Sequence, residues 1–285
     1  MAASPANCLN CGALLDGAFC SRCGQRAIAP YPTVREMIGD AWQELSGYDG
    51  RFARTFRMLL GRPGALTIET LEGRRARYIG PVRLYLVASV VYFVCAAAVP
   101  NLRTPAPAVM PGPGDTITID ATGRTEMSPE LRDRALQRLQ RAPWWAQMIL
   151  RPAIVDPAAF RRRFVETLPR VLFALVPVFA AIVALFYRRR RFAQHLIFAI
   201  HLHATIFIVL TVRELSQLAR SLIVLRVFEI GAAAGIVAYG LLAFRSVYGE
   251  SWLRILVKWV GIAAIYSVAG VTALVVTLLW AVVIG

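Results

Sequence analysis

The sequence predicts an all-α membrane protein of about five transmembrane helices, preceded by amphipathic interfacial helices and a small N-terminal β-hairpin zinc ribbon. Three observations predict it. Of the 285 residues, 57% are hydrophobic and only 17% are charged, too little polar surface for a water-soluble fold of this length. The apolar residues are gathered into runs of roughly 18 to 25, the length that carries a helix across about 30 Å of hydrocarbon. Four of the five cysteines fall in two Cys-x-x-Cys pairs near the N-terminus. The chain then divides into a ribbon (1–27), interfacial helices (28–81) and a transmembrane domain (82–285).

The ribbon comes first. Cys8 and Cys11, then Cys20 and Cys23, each place two thiolates on one tight turn, and two such turns supply the tetrahedral sulfur shell that Zn2+ accepts. Glycine follows the second cysteine of each pair, at Gly12 and Gly24, where a residue without Cβ lets the backbone bend around a metal. Asp16-Gly17 between apolar neighbours predicts a hairpin turn joining the two knuckles. So short a segment cannot bury a core, so the metal supplies its stability. A closed four-sulfur shell leaves no open coordination position, which makes the zinc structural. Disulfides or a dithiol switch are the rival readings, disfavoured by a reducing, cytosolic location. The first residues have no apolar stretch of the kind found in a secretory signal, which places the N-terminus in the cytosol.

The interfacial helices follow. Thr33 to Glu36 form a capping-box pattern, and Val34, Met37, Ile38, Ala41, Trp42 and Leu45 recur along one helical stripe. After a break at 46–50, Phe52, Phe56, Leu59 and Leu60 form a second apolar face with Arg51, Arg54 and Arg57 between them, ended by Arg62-Pro63-Gly64. Arginine on the polar face suits a membrane interface.

The spans are 82–99, 169–187, 192–211, 222–244 and 255–284, with 100–168 between the first two on the external side. Net charge is +15, and Lys258 is the only lysine. Many arginines flank the apolar runs (Arg74, Arg75, Arg77, Arg83, Arg188 to Arg191, Arg245, Arg254), where they orient spans and meet lipid headgroups rather than nucleic acid. They place the chain in the inner (cytoplasmic) membrane as a multi-pass protein, N-terminus in the cytosol and C-terminus outside. Arg161 to Arg163 and Arg170 oppose this topology, because they lie on the external side of the second span. In the external segment, Ser128-Pro129-Glu130 opens a helix running toward Arg141, and Trp144 and Trp145 follow at headgroup depth.

Ionisable residues inside the spans are functional candidates by default. His195, His201 and His203 all lie in the third span, and Arg226 and Glu229 in the fourth. At about 100° per residue, His201 sits about 200° from His203, while His195 is about 12 Å away along the axis, so one helix cannot gather all three around a metal. Similar depth predicts a His203–Glu229 hydrogen bond between helices, with Arg226 balancing its charge. Gly231 to Gly235 form a small-xxx-small face that permits close helix approach. The oligomeric state stays open.

Several stretches together resemble a family of bacterial membrane proteins numbered 3667 among the domains of unknown function. They are Cys20 to Gln25, Arg54 to Gly64 and Leu71 to Pro81, with His195 to Ala204 and the loop Arg245 to Gly249 as weaker matches. The resemblance implies a multi-pass membrane protein with a zinc ribbon and carries no activity. The sequence holds no nucleophile–base constellation, phosphate loop or catalytic metal motif. The leading reading is therefore a non-enzymatic protein whose ribbon docks a cytosolic partner or stabilises the interfacial helices. The alternative is a small transporter or membrane enzyme that uses the intramembrane His, Glu and Arg residues.

Overall fold

A computed structural model describes residues 7–27, 51–102, 117–119, 125–127, 129–219 and 221–283. The amphipathic stretch 33–45 and residues 103–116 of the external segment lie outside them. The described helices are α1 (Arg51–Gly61), α2 (Ala65–Leu71), α3 (Pro81–Leu102), α4 (Pro129–Gln140), α5 (Trp144–Val155), α6 (Pro157–Phe186), α7 (Phe192–Ser216), α8 (Leu222–Tyr248) and α9 (Trp252–Val283). Five of these helices are long and apolar enough to cross a membrane, over Pro81–Val99, Arg162–Phe186, Phe192–Ser216, Leu222–Tyr248 and Trp252–Trp280.

The chain forms two compact units. One comprises Met1–Ala96 and Val176–Tyr266, the other Ala97–Leu175 and Ser267–Gly285. The first unit is organised around α7, which buries 61% of its apolar window, against none for α8. Phe198 of α7 meets Phe244 of α8 edge-on at 4.7 Å between ring centroids, and Phe207 meets Tyr85 of α3 at 5.6 Å. Large apolar side chains such as Leu222, Ile223 and Val257 point outward. In a bilayer the solvent for an outward face is itself apolar, so such a face costs nothing.

Three boundaries differ from the sequence expectation. Helix α6 begins at Pro157, twelve positions before the predicted span at 169, so Arg161 to Arg163 lie in one continuous helix with that span. The cause is local: the Asp156 carboxylate accepts the Ala159 N–H at 2.9 Å and Pro157 takes the first helical position, where its missing N–H is harmless. Helix α7 continues past 211 to Ser216 and carries Arg213 and Glu214 with it. Helix α8 runs through Arg245 to Tyr248, so the predicted loop before the last span is reduced to 249–251.

Helix α2 was not predicted, because seven residues between two glycines are too few to show a helical period. It is nonetheless central to the first unit. Leu66, Thr67, Thr70 and Leu71 are all buried, and the helix packs on α7 and α8. Gly64 makes this contact close: its φ is +82°, and a Cβ placed there would lie 2.9 Å from Ser246 Cβ and 3.0 Å from Ala243 O of α8. The Arg-Pro-Gly sequence is thus both a helix stop and the point where the backbone meets the bundle.

Helix α1 lies beside this contact. Thr55, fully buried, donates to Arg51 O at 2.8 Å and accepts the Ile79 N–H at 3.0 Å. Phe52 and Phe56 stack at 6.5 Å between centroids, Leu59 is buried, and Leu60 is 44% exposed. Tyr239 of α8 donates its hydroxyl to Leu59 O at 2.8 Å. The collar formed by α1, α2 and the loop 72–80 is therefore pinned to the helices at several points.

In the second unit α4 opens at Pro129 as expected and α5 packs against it, with Gln147 Nε2 donating to Ala142 O at 2.8 Å. Two three-residue strands, β1 (Ile117–Ile119) and β2 (Thr125–Met127), pair antiparallel with Thr118 opposite Glu126.

Candidate metal centre and intramembrane polar residues

The two cysteine knuckles are copies of one another, twelve residues apart. In the first, Cys8 N–H donates to Ala13 O at 2.7 Å and Gly12 N–H to Cys8 O at 2.8 Å. In the second, Cys20 N–H donates to Gln25 O and Gly24 N–H to Cys20 O, both at 2.8 Å. Gly12 and Gly24 adopt φ of +75° and +71°, the left-handed turn that their lack of a Cβ allows. The N–H groups of Ala13 and Gln25 donate to the Cys11 and Cys23 sulfurs respectively.

This repeat replaces the predicted hairpin. Asp16-Gly17 does not join paired strands; each knuckle closes on itself through an isolated bridge, Asn7 with Leu14 and Phe19 with Arg26. Each turn already satisfies its backbone internally, which leaves no ladder for a shared hairpin.

The four Sγ atoms lie within 4.8 Å of one another and could hold a metal ion. Cys8–Cys23 and Cys11–Cys20 are each 3.6 Å apart, far beyond a bond of about 2.05 Å, so no disulfide joins them. A tetrahedron with metal–sulfur bonds of about 2.3 Å has edges of about 3.8 Å, which these separations match. Desolvation opposes ionisation at Cys23, but the Gln25 amide and the Asn10 side chain outweigh it and bring its thiol down to about 6. At Cys11 the Ala13 amide favours the thiolate, yet desolvation and the three neighbouring sulfurs push the thiol up to about 11. Four thiolates this close repel one another unless a cation sits among them.

The ribbon has almost no core of its own. Among residues 7–27 only Cys8, Asn10 and Cys20 are buried, while Leu14 and Phe19 are 72% and 63% exposed. Among the described residues, the loop between α2 and α3 supports it. The Gln25 side chain donates to Gly73 O at 2.6 Å and accepts the N–H groups of Arg75 and Ala76 at 3.1 and 3.0 Å. Arg77 Nη2 donates to Asn10 O at 3.1 Å. Gly73, at φ +85°, permits the approach: a Cβ there would lie 2.6 Å from Leu9 Cδ1. Arg74 stiffens the same loop by a two-point contact with Glu69, at 2.8 and 2.7 Å, and holds that carboxyl below its ordinary range. Sequence reasoning noticed Gln25 only as part of a motif; its role depends on a loop fifty residues away.

The three histidines point to three different elements and do not converge. His195, fully buried, shares a hydrogen bond of 2.8 Å with the Tyr248 hydroxyl of α8. His201 Nδ1 lies 2.9 Å from Thr67 Oγ1 of α2. His203 Nδ1 lies 2.8 Å from Ala199 O, which only a donor can satisfy, so Nε2 accepts from the Tyr266 hydroxyl of α9, also at 2.8 Å. The expected His203–Glu229 bond is not formed. Because α7 extends five residues past 211 to Ser216, His203 lies about 7.5 Å farther from that end of the helix than the sequence boundary implied. Glu229 instead meets Arg226 at 3.2 Å and Arg213 at 3.5 Å, and Arg213 also binds Glu214 at 2.7 Å. Thr67, Tyr248 and Tyr266 were missed by sequence reasoning. A tyrosine inside an apolar span is the available signal, since its hydroxyl needs a partner there.

The Thr67–His201 contact gives a measurable coupling. Thr67→Val leaves a histidine nitrogen buried without its partner and is expected to cost about 1–3 kcal/mol. The double variant Thr67→Val/His201→Leu should cost less than the sum of the two single changes in a double-mutant cycle of detergent-solubilised protein. Additive losses would mean that the contact is not made.

Residues 49–93 match a family model described as a protein of unknown function (DUF3667). The matched stretch covers α1, α2, the loop and the first half of α3, and so is similar to that family where the ribbon and the bundle meet. No curated protein and no solved structure matches the chain.

Proposed function

We propose that this chain, similar over its collar to a family of unknown function, is a non-enzymatic integral membrane protein whose ribbon is closed by one structural Zn2+ and clamps the collar onto the helices. The observation that carries the reading is Gln25, one side chain that satisfies three backbone groups of the loop 73–76. A soft, tetrahedral four-sulfur set with no open position favours zinc in a structural role. Exposed Leu14 and Phe19 give the same ribbon an apolar face for a cytosolic protein partner. The arginines at 74, 75, 77, 188–191, 245 and 254 support an inner-membrane topology with the ribbon in the cytosol. The histidine contacts support a packing role, each joining α7 to a different neighbour.

Gln25→Ala tests the clamp. Zinc content should stay at one ion per chain, while trypsin cleavage after Arg74, Arg75 and Arg77 accelerates and stability falls by about 1–3 kcal/mol. Unchanged cleavage of this loop would refute the clamp even if zinc were present.

A further inference from the structure

A cleft of about 560 Å3 lies between α2, the start of α7 and the end of α8. Its size falls in the range of small-ligand sites. Three consecutive arginines, Arg189, Arg190 and Arg191, line it together with Gln194 of the first turn of α7. On the opposite side Ile68 and Leu71 of α2 supply apolar surface. Glu72 is the one carboxylate among the lining residues, and it is ion-paired to Arg74 of the neighbouring loop. Three arginines therefore line the cleft beside one carboxylate that is already ion-paired.

Two features make this more than a run of topology-setting charges. Arg190 is built into the wall: it donates to Val247 O at 2.6 Å and its guanidinium lies 5.1 Å from the Tyr248 ring centroid. Only one of its N–H donors is used in that hydrogen bond. The positive end of the 25-residue helix α7 also opens at the cleft, adding to the charge of the arginines. Clustered guanidiniums match the oxygens of a phosphate through paired N–H contacts, and several of them together suit an oxyanion with more than two oxygens. The cleft also sits at the end of the bundle where α7 begins and α8 ends, the level at which spans meet water and headgroups.

We propose that this cleft binds a phosphate ester, its oxygens held by Arg189–Arg191 and its apolar or glycerol portion laid against Ile68 and Leu71. The ester can come from a phospholipid headgroup of the adjoining leaflet or from a water-soluble phosphate compound. None of the residues lining the site belongs to the ribbon or to its cysteine cluster.

The test uses the full-length, zinc-loaded protein in nanodiscs, as wild type, Arg189→Glu and Glu72→Gln. One arm adds phosphatidylglycerol to phosphatidylcholine discs and reads lipid retained on the protein by native mass spectrometry. The other titrates glycerol 3-phosphate into discs of phosphatidylcholine alone. In whichever arm binding occurs, Arg189→Glu should weaken it about tenfold, and Glu72→Gln should strengthen it about threefold. Saturable retention of phosphatidylglycerol in that order assigns the site to a lipid headgroup, and saturable glycerol 3-phosphate binding assigns it to a soluble ester. If neither probe binds, or if all three proteins bind alike in both arms, the proposal is overturned. Should Arg189→Glu fail to fold, Glu72→Gln still decides, since a gain of affinity cannot come from misfolding.

Discussion

Cys23→Ser is expected to empty the ribbon of metal and unfold it while leaving the five long helices in place. Binding of structural zinc to small sulfur-ligated modules is worth about 10–16 kcal/mol, and for such modules that is the folding free energy itself. Here the dependence is acute, because only three side chains between residues 7 and 27 are buried and two of them belong to the four-cysteine cluster. Metal analysis should fall from one zinc per chain to background, and trypsin should then cut after Arg22 and Arg26. Cys95, which lies in α3 away from the cluster, is the matched control: Cys95→Ser should retain full zinc content. A Cys23→Ser protein that kept stoichiometric zinc and resisted cleavage would mean that the four thiols are not the ligands.

Gly64→Ala is the second large effect, and it reports on the collar instead of the metal. A left-handed backbone costs an alanine about 1–2 kcal/mol, and forcing a methyl group against packed atoms costs about 1–3 kcal/mol more. The neighbours cannot yield cheaply, since Ala243 O is helix backbone and Ser246 Cβ is fixed directly to it. A loss of about 3 kcal/mol in detergent unfolding is expected. Gly231→Ala provides the contrast. A Cβ at Gly231 meets nothing within 4 Å, and in a helix interior alanine is favoured over glycine by up to about 1 kcal/mol. Equal effects from the two changes would show that α2 does not press against α8.

How much of this could be read in the sequence depends on the physics of each part. The long helices were legible because hydrocarbon requires an uninterrupted apolar run, and all five appear near their expected places. Their ends were not, because local caps decide them: Asp156-Pro157 starts α6 well before its apolar run begins. The cysteine knuckles were legible because ligand spacing fixes them, whereas the hairpin at Asp16-Gly17 failed against bonds internal to each knuckle. Helix α2 was invisible at seven residues, and with it went the partner of His201. The pairing of His203 with Tyr266, like that of Gln25 with the loop 73–76, joins positions distant in sequence, which no local pattern encodes.

Residues 49–93, the part similar to a family, also carry several of these contacts. That stretch contains Thr55, Gly64, Thr67 and Gly73, each of which touches a different neighbour: the Ile79 amide, α8, His201 and the ribbon. A side chain that must fit one specific partner tolerates few replacements, whereas the lipid-facing residues of α8 and α9 need only be apolar.

Hydrogen exchange at the Arg75 and Ala76 amides tests most directly whether a metal-held ribbon grips the collar, since both donate to Gln25 Oε1. Both amides should be protected in the zinc-loaded protein and exchange freely after Cys23→Ser or Gln25→Ala, with amides in the middle of α7 unaffected. Equal protection with and without zinc would contradict the account.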